Sequence, residues 1–347
     1  MLGRWIEVLA GCLLLGGSLV LPVFAATPAV PAGAAPGRYE VPEPAWFKVS
    51  FLDLREDVAE AAQVGKRVMI YFHQDNCPYC TKLLLDNFGQ KTIADTTRRH
   101  FEVISINLWG DREVTDLAGR ATTEKAFAKN LRVQFTPTVL LLDERGEVAL
   151  RLNGYIPPHQ FEAALEYVAG KLERRQSFGD YQLAKPREPA SGTLHPEPWL
   201  LPAPLDLSRP DPRPTMVLFE QKVCAACDEM HGEGFTRPEM AALLPRFRAA
   251  RVDVAAAETL KLPGGEELRM RDWARRLNIV YTPSLAFFDT AGREIFRVEG
   301  YLRAFHLASS LEYIASGAYR EQPEFQRFIE ARAAARRAKG ERVELLK

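Results

Sequence analysis

The sequence has no surplus of either charge. Its 45 basic residues are matched by 45 acidic ones, so no protein-wide basic field exists to gather nucleic acid, which speaks against nucleic-acid partners. Cysteine is scarce, five in 347 residues, too few for the dense disulfide framework of a small secreted scaffold. Histidine numbers only six, with no pair at zinc-finger spacing. The chain is neither disordered nor fibrous in composition, since 47% of its residues are hydrophobic and 26% charged. At ~100–200 residues per domain, its length calls for two domains, each large enough to bury a core.

The cysteines are Cys12 and two C-x-x-C pairs, Cys77 with Cys80 and Cys224 with Cys227. Cys12 lies in an uncharged run from Val8 to Gly37, behind Arg4, and Val23-Phe24-Ala25 follows the apolar centre of that run. Residues 1–25 therefore read as a secretory signal cut after Ala25. Two other readings are an uncleaved anchor, which Gly11, Gly16, Gly17 and Pro22 make a poor span, and a lipoprotein box at Leu9-Ala10-Gly11-Cys12. All three export the body of the protein, so the expected location is an oxidising compartment, a bacterial periplasm.

Proline marks the boundaries. Six prolines fall between Pro22 and Pro44, and nine of the 24 fall between Pro186 and Pro214; stretches that dense favour extended, semi-rigid spacers. The modules on either side repeat each other. Met69-Ile70-Tyr71-Phe72-His73-Gln74 before Cys77 returns as Met216-Val217-Leu218-Phe219-Glu220-Gln221 before Cys224. Phe135-Thr136-Pro137-Thr138 returns as Tyr281-Thr282-Pro283-Ser284, and Gly154-Tyr155 as Gly300-Tyr301. This is a duplicated domain. The expected organisation is a signal over 1–25, a Pro/Ala-rich linker over 26–44, domain 1 over 45–178, a Pro-rich linker over 179–214, domain 2 over 215–318 and a basic helical tail over 319–347.

Within each copy the pattern reads β-α-β-α-β-β-α, an α/β fold with a mixed central sheet and helices on both faces. Domain 1 adds a leading helix, Asp53 to Gln63, with an Asp cap and Gly65 as its stop; domain 2 lacks a counterpart. Each C-x-x-C falls between an apolar strand and a helix. Unpaired backbone N–H groups and the positive end of the helix dipole there stabilise a thiolate on the first cysteine. The second closes the ring and releases whatever the first has attacked, giving reversible thiol–disulfide exchange.

With Cys77-Pro78-Tyr79-Cys80 and a Thr136-Pro137 before a β-hairpin, and the same parts in copy two, the sequence resembles the thioredoxin superfamily. More narrowly it resembles exported thioredoxin-related proteins of the SoxW type. The resemblance implies two thioredoxin-like domains and protein-disulfide reductase activity, with Cys77 and Cys224 attacking and Cys80 and Cys227 resolving. It implies cis Pro137 and Pro283 against the cysteines, with the backbone of Thr136 and Thr282 offered to a substrate strand. No cofactor is expected. The implied partners are protein disulfides and a membrane thiol–disulfide electron donor.

There are departures. Thioredoxins proper carry a buried carboxylate six residues before the first cysteine, where this chain has Tyr71 and Leu218. His73 and Glu220, four before, are candidate substitutes, although the simpler expectation is two solvated strand ends. A rival from another class is a soft-metal carrier, for copper or zinc, that uses the cysteines as ligands with His231, four after Cys227. The cation after Cys80 (Lys82) and the carboxylates after Cys227 (Asp228, Glu229) predict a more oxidising Cys77 pair, with electrons running from Cys224/Cys227 to Cys77/Cys80. The proline spacer predicts modules that move independently. The basic tail, with Phe325, Phe328, Arg332 and Arg336, reads as an amphipathic helix that packs its phenylalanines on the parent domain and leaves its charges in water; the alternatives are contact with an anionic membrane, there or at the N-terminal segment, or with a partner protein.

Overall fold

The computed structural model describes residues 41–185, 188–300 and 302–346. The signal segment, Cys12, Pro186 and Tyr301 lie outside the described residues. In the first half α1 (Leu54–Gln63) precedes β1 (Arg67–His73), and α2 (Pro78–Lys82) runs on through a π-helical turn, Leu83–Asn87. There follow α3 (Lys91–His100), β2 (Phe101–Asn107), a small hairpin of β3 (Glu113–Thr115) and β4 (Ala121–Thr123), and α4 (Glu124–Asn130). The half closes with β5 (Thr138–Leu142), β6 (Val148–Asn153), α5 (Pro158–Ala169) and α6 (Phe178–Leu183).

The second half repeats this as β7 (Thr215–Glu220), α7 (Ala225–Glu229) with its own π-helical turn Met230–Gly234, α8 (Met240–Leu243) and β8 (Arg248–Asp253). Then come β9 (Thr259–Lys261), β10 (Glu267–Arg269), α9 (Met270–Arg276), β11 (Ser284–Phe288), β12 (Glu294–Glu299), α10 (Ala304–Ala315) and α11 (Phe325–Ala338). The two main sheets have the same order, β2-β1-β5-β6 and β8-β7-β11-β12. Only β1/β2 and β7/β8 are parallel.

Strand alternation sorts each sheet onto two cores. Met69 and Tyr71 face the layer that holds Cys77, Cys80 and Phe161, while Val68, Ile70 and Phe72 face α1 and α4. In the second domain Met216 and Leu218 face Met230 and Leu311, and Val217 and Phe219 face Trp273. Both domains therefore carry helices on both faces of a mixed sheet, as expected. The small β3/β4 and β9/β10 hairpins went unread because three-residue strands carry no periodicity to detect.

The segment before β7 is more than a spacer. Leu201 N–H donates to the Ala249 carbonyl (2.8 Å) just as Lys48 N–H donates to Val103 (2.8 Å). Leu205 and Leu207 bury beside Val217, as Leu52 and Leu54 bury beside Val68. The buried Arg248 guanidinium donates to the carbonyls of Asp206 (2.5 Å), Leu207 (3.2 Å) and Arg209 (2.6 Å), pinning the strap. Asp53 caps α1 by accepting from the backbone N–H of Arg55 and Glu56, but Pro210, Pro212 and Pro214 follow Leu207 and leave no helix to cap.

The domains do not hang free of one another. A single apolar core runs from Phe161 and Leu165 of domain 1 through Phe296 and Phe305 of domain 2, and desolvated area on that scale opposes independent motion. The outer strands meet at their ends, where the Asn153 amide donates to Glu299 Oε2 (2.5 Å). The Tyr281 hydroxyl reaches the Asn153 carbonyl and, at 2.9 Å, the Glu299 carbonyl. Gly300 is required at this seam: its φ is +85° and a Cβ would fall 2.9 Å from the Tyr281 ring. The tail helix α11 completes the joint. Its Phe325 packs on Phe135 of domain 1 (5.4 Å) and on Phe296 of domain 2 (4.8 Å). Arg332 pairs with Glu312, and Arg336 with Glu239 and Glu341. The tail thus packs its phenylalanines on the parent fold, as expected. Among the described residues no helix is long and apolar enough to cross a membrane.

Candidate functional site: two disulfide centres of unequal access

Each C-x-x-C sits where the strand-to-helix reading put it. Cys77 is the N-cap of α2, and its Sγ accepts from the Cys80 N–H at 3.0 Å. Cys224 caps α7 and accepts from the Cys227 N–H at 3.1 Å. Both pairs are closed, Cys77–Cys80 with Cα atoms 5.1 Å apart and Cys224–Cys227 with Cα atoms 5.2 Å apart. The same donors that satisfy these sulfurs would hold a thiolate once the bridge opens.

The Thr-Pro loops stand against the cysteines. Thr136–Pro137 and Thr282–Pro283 are both cis. The Thr136 hydroxyl lies 3.4 Å from Cys77 Sγ, placed to donate to it, and its carbonyl oxygen lies 3.6 Å away. Thr282 and Cys224 line one cleft. The structure thus brings Thr136 to Cys77 in domain 1 and puts Thr282 and Cys224 on the wall of one cleft in domain 2.

The two centres differ in what covers them. Tyr79, two residues after Cys77, is buried against domain 2: its hydroxyl accepts from the Arg303 N–H (3.0 Å), and its ring meets His306 edge-on at 5.0 Å. The matching residue after Cys224 is Ala226. With no ring there, a cleft of about 300 Å³ opens between Cys224, Ala225, Ala226 and Thr282 on one side and Gln160 and Asp180 of domain 1 on the other.

His306 makes the cover over Cys77 sensitive to acid. It is buried, and that burial, with Arg332 nearby, holds its pKa down at about 4. As pH falls below ~6.5 the unfolded chain takes up a proton that the folded chain refuses until about 4, so stability drops across that window. The wild type should lose roughly 3 kcal/mol relative to His306→Gln between pH 7 and pH 4, read by urea unfolding of both proteins. A difference that stays flat with pH would remove His306 from this role.

Three expectations about side chains change. Glu220 is not a solvated strand end: it is 1% exposed, and its Oε1 meets His231 Nε2 at 2.7 Å. The other ring nitrogen of His231, Nδ1, meets Glu197 Oε1 at 2.7 Å, so both nitrogens are engaged by carboxylates. Among the described residues no cluster of three or more His, Cys, Asp and Glu is arranged to hold an ion. Burial by itself would lower the His231 pKa, but Glu220 and Glu197 outweigh it and raise it.

The charges invoked for electron direction also have partners beside them. Lys82 pairs with Asp86, Asp228 with His195 (2.6 Å), and Glu229 with Arg303. Lys82 and Glu229 each lie beside an opposite charge, which weakens the electrostatic difference between the two thiolates on which that direction rested.

Glu197 and His195 went unnoticed because they lie in the proline-rich stretch. The signal was present: Pro196-Glu197-Pro198-Trp199 repeats Pro42-Glu43-Pro44-Ala45-Trp46. Trp199 packs on Phe235 (4.9 Å) as Trp46 packs on Phe88 (5.6 Å). Glu43 correspondingly reaches His73 Nε2 at 3.6 Å. Each strap therefore delivers a glutamate to a histidine beneath its own redox centre.

The profile of the Thioredoxin-like domain family matches residues 54–169 and again residues 203–315. No curated protein matches the chain. Among solved structures, a thioredoxin-fold protein from Helicobacter pylori is 26% identical over 34% of this chain and 79% of its own, with a TM-score of 0.29. A thioredoxin from Thermus thermophilus is 26% identical over 35% and 86%, with a TM-score of 0.29. The periplasmic thioredoxin SoxS from Paracoccus pantotrophus is 23% identical over 31% and 99%, with a TM-score of 0.23.

Proposed function

Because the chain belongs in both halves to the Thioredoxin-like domain family, we propose that it is an exported thiol–disulfide oxidoreductase that reduces protein disulfides through its two C-x-x-C centres. A membrane thiol–disulfide transporter supplies the electrons, since C-x-x-C thiols left in an oxidising compartment settle as disulfides. The uncharged N-terminal run supports export, and an exported reductant has no cytosolic pool to draw on.

The observation that carries the reading is the repeated constellation of a helix-capping cysteine, its partner three residues on and a Thr-Pro loop against them. Cys224 attacks a client disulfide as a thiolate, held by the Cys227 N–H and the first turn of α7. A mixed disulfide forms and one client sulfur leaves. Cys227 then attacks Cys224, closing the Cys224–Cys227 bond and freeing the second client sulfur. The Thr282 backbone on the cleft wall is offered to the extended client segment. Cys77, Cys80 and Thr136 repeat these roles in domain 1.

The test is reduction of insulin disulfides by the full chain in the presence of dithiothreitol. The wild type should accelerate precipitation of the insulin B chain, and Cys77→Ser/Cys224→Ser should leave only the dithiothreitol background. Activity undiminished in the double variant would end the enzyme reading.

A further inference from the structure

Each domain ends in a helix that lies against the segment leading into the Thr-Pro loop of the other, and the two helices correspond. Phe178 opens α6 and packs on Tyr167 (5.1 Å), as Phe325 opens α11 and packs on Tyr313 (5.0 Å). The Tyr167 hydroxyl donates to the Gln176 carbonyl (2.6 Å) and the Tyr313 hydroxyl to the Gln322 carbonyl (2.7 Å). The second residue of each helix differs: Gln326 in α11, Gly179 in α6.

In domain 1 the Gln326 side chain stands on the rim of the first centre. Its Oε1 accepts from Gln74 Nε2 (3.4 Å), and its Nε2 donates to the Gln134 carbonyl (3.3 Å). Gln74, three residues before Cys77, also accepts from Trp109 Nε1 (3.1 Å). A carboxamide is thus held between an amide and a main-chain carbonyl. Domain 2 keeps this frame and lacks the filling. Gln221, three before Cys224, and Val280, two before Thr282, hold the positions of Gln74 and Gln134, whereas Gly179 replaces Gln326 and Ala255 replaces Trp109. The last match is fixed by the turn: Asp253 accepts from the Ala255 N–H (2.9 Å) as Asn107 does from that of Trp109 (2.9 Å). With both large side chains gone, Gly179, Gln221 and Val280 line the cleft beside Cys224. Gly179 also lets α6 close in, since a Cβ there would fall 3.2 Å from the Ile279 carbonyl oxygen, and Asp180 pairs with Arg275 (2.7 Å) across the seam. On the same wall Gln182 Nε2 is buried without a hydrogen-bond partner among the described residues, a donor that costs stability until an acceptor reaches it.

We propose that this cleft is a carboxamide subsite for the client of Cys224, with α6 of domain 1 as its outer wall. The inference rests on the thiol–disulfide reading above and names the kind of client that the second centre takes: one with an amide group beside its disulfide, from the main chain or from an Asn or Gln side chain. The client oxygen accepts from Gln221 Nε2 and the client N–H donates to the Val280 carbonyl, the pairing that Gln326 makes in domain 1. Gln182 offers a further donor to the next carbonyl of an extended segment. A client with no amide there leaves these groups unpaired in the cleft, which is how a polar subsite rejects an analogue. In the first centre the chain's own Gln326 takes the place of the client amide.

The test uses the full chain carrying Cys77→Ser/Cys80→Ser, reduced and mixed with short linear peptides whose one cysteine is a mixed disulfide with thiopyridine. Attack by Cys224 releases pyridine thione. Dithiodipyridine, with the same leaving group and no amide, is the reference. Gln221→Leu should cut the peptide rate about tenfold relative to that reference, the scale of one lost hydrogen bond. Gly179→Gln, which carries the side chain of Gln326 into the second cleft, should cut it at least as far. Two altered peptides name the source of the amide in the parent chain: a loss when a flanking Gln is replaced by Leu assigns the side chain, and a loss on N-methylation of the flanking backbone assigns the main chain. A parent indifferent to both changes overturns the subsite. So does a peptide-to-reference ratio that Gln221→Leu leaves unchanged, and that variant decides alone if Gly179→Gln does not fold. A reduced Cys224 inert even to dithiodipyridine would instead sink the thiol–disulfide reading, and this inference with it.

Discussion

Cys224→Ser should cost the full chain at least about tenfold of its dithiothreitol-driven insulin reduction, equivalent to ~1.4 kcal/mol of transition-state stabilisation or more, while Cys77→Ser keeps the larger share. The two cysteines share a local frame: each caps a helix, closes on a partner three residues on and has a cis Thr-Pro loop in its domain. What separates them is the residue two places later. Tyr79 is packed under Arg303 and His306 of the other domain, whereas Ala226 leaves Cys224 on a cleft of about 300 Å³. A client must place its sulfur in line with the attacking thiolate, and the cover over Cys77 narrows that approach. Uncovering should therefore restore access: Tyr79→Ala in the Cys224→Ser chain is expected to regain activity through Cys77. If Cys224→Ser stays more active than Cys77→Ser, the assignment of the client-facing centre is reversed.

The duplication was legible because the strand–C-x-x-C–helix unit and the Thr-Pro hairpin recur at matched spacing, and spacing survives where side chains do not. The same reading failed at Glu220. Strand ends are usually wet, and nothing in β7 itself announces that a strap 23 residues earlier and a histidine 11 residues later close over it. The strap was misjudged for a related reason. Proline density argues correctly against helix, and residues 199–214 form none, but extended chain can still add to a sheet edge, as Leu201 does on Ala249. Independent motion was inferred from the connection alone. The property that decides it is the surface the two domains share, and that depends on side chains from α10 and α11 meeting Tyr79, Phe135 and Gln134 across long sequence distances. Charge at Lys82, Asp228 and Glu229 was legible as composition, but the partners beside it were not, since two of the three lie more than 30 residues away.

Phe325→Ala should be the most destabilising single change outside the redox centres, at about 3–5 kcal/mol, the range for removing a buried phenylalanine ring from a core that collapses only partly. The residue is 0% exposed. Its ring meets Phe135 at 5.4 Å, Phe296 at 4.8 Å and Tyr313 at 5.0 Å, so it touches both domains at once. The loss should have two parts. Part is the apolar area returned to water, which any core position would show. Part is the joint itself, because Gln326, the next residue, donates to the Gln134 carbonyl of domain 1 (3.3 Å) and depends on Phe325 to hold α11 in place. Urea unfolding followed by near-UV signal should therefore show a lower midpoint and a broader transition, as the two domains cease to unfold together. Arg337→Ala, on the exposed side of the same helix, is the control and should shift stability by less than ~0.5 kcal/mol. The second expectation is functional: a loosened joint relaxes the Arg303–Tyr79 cover, so Phe325→Ala should raise alkylation of reduced Cys77 more than that of Cys224. Equal labelling of the two, or a stability loss no greater than that of Arg337→Ala, would show that α11 is not what fastens the domains.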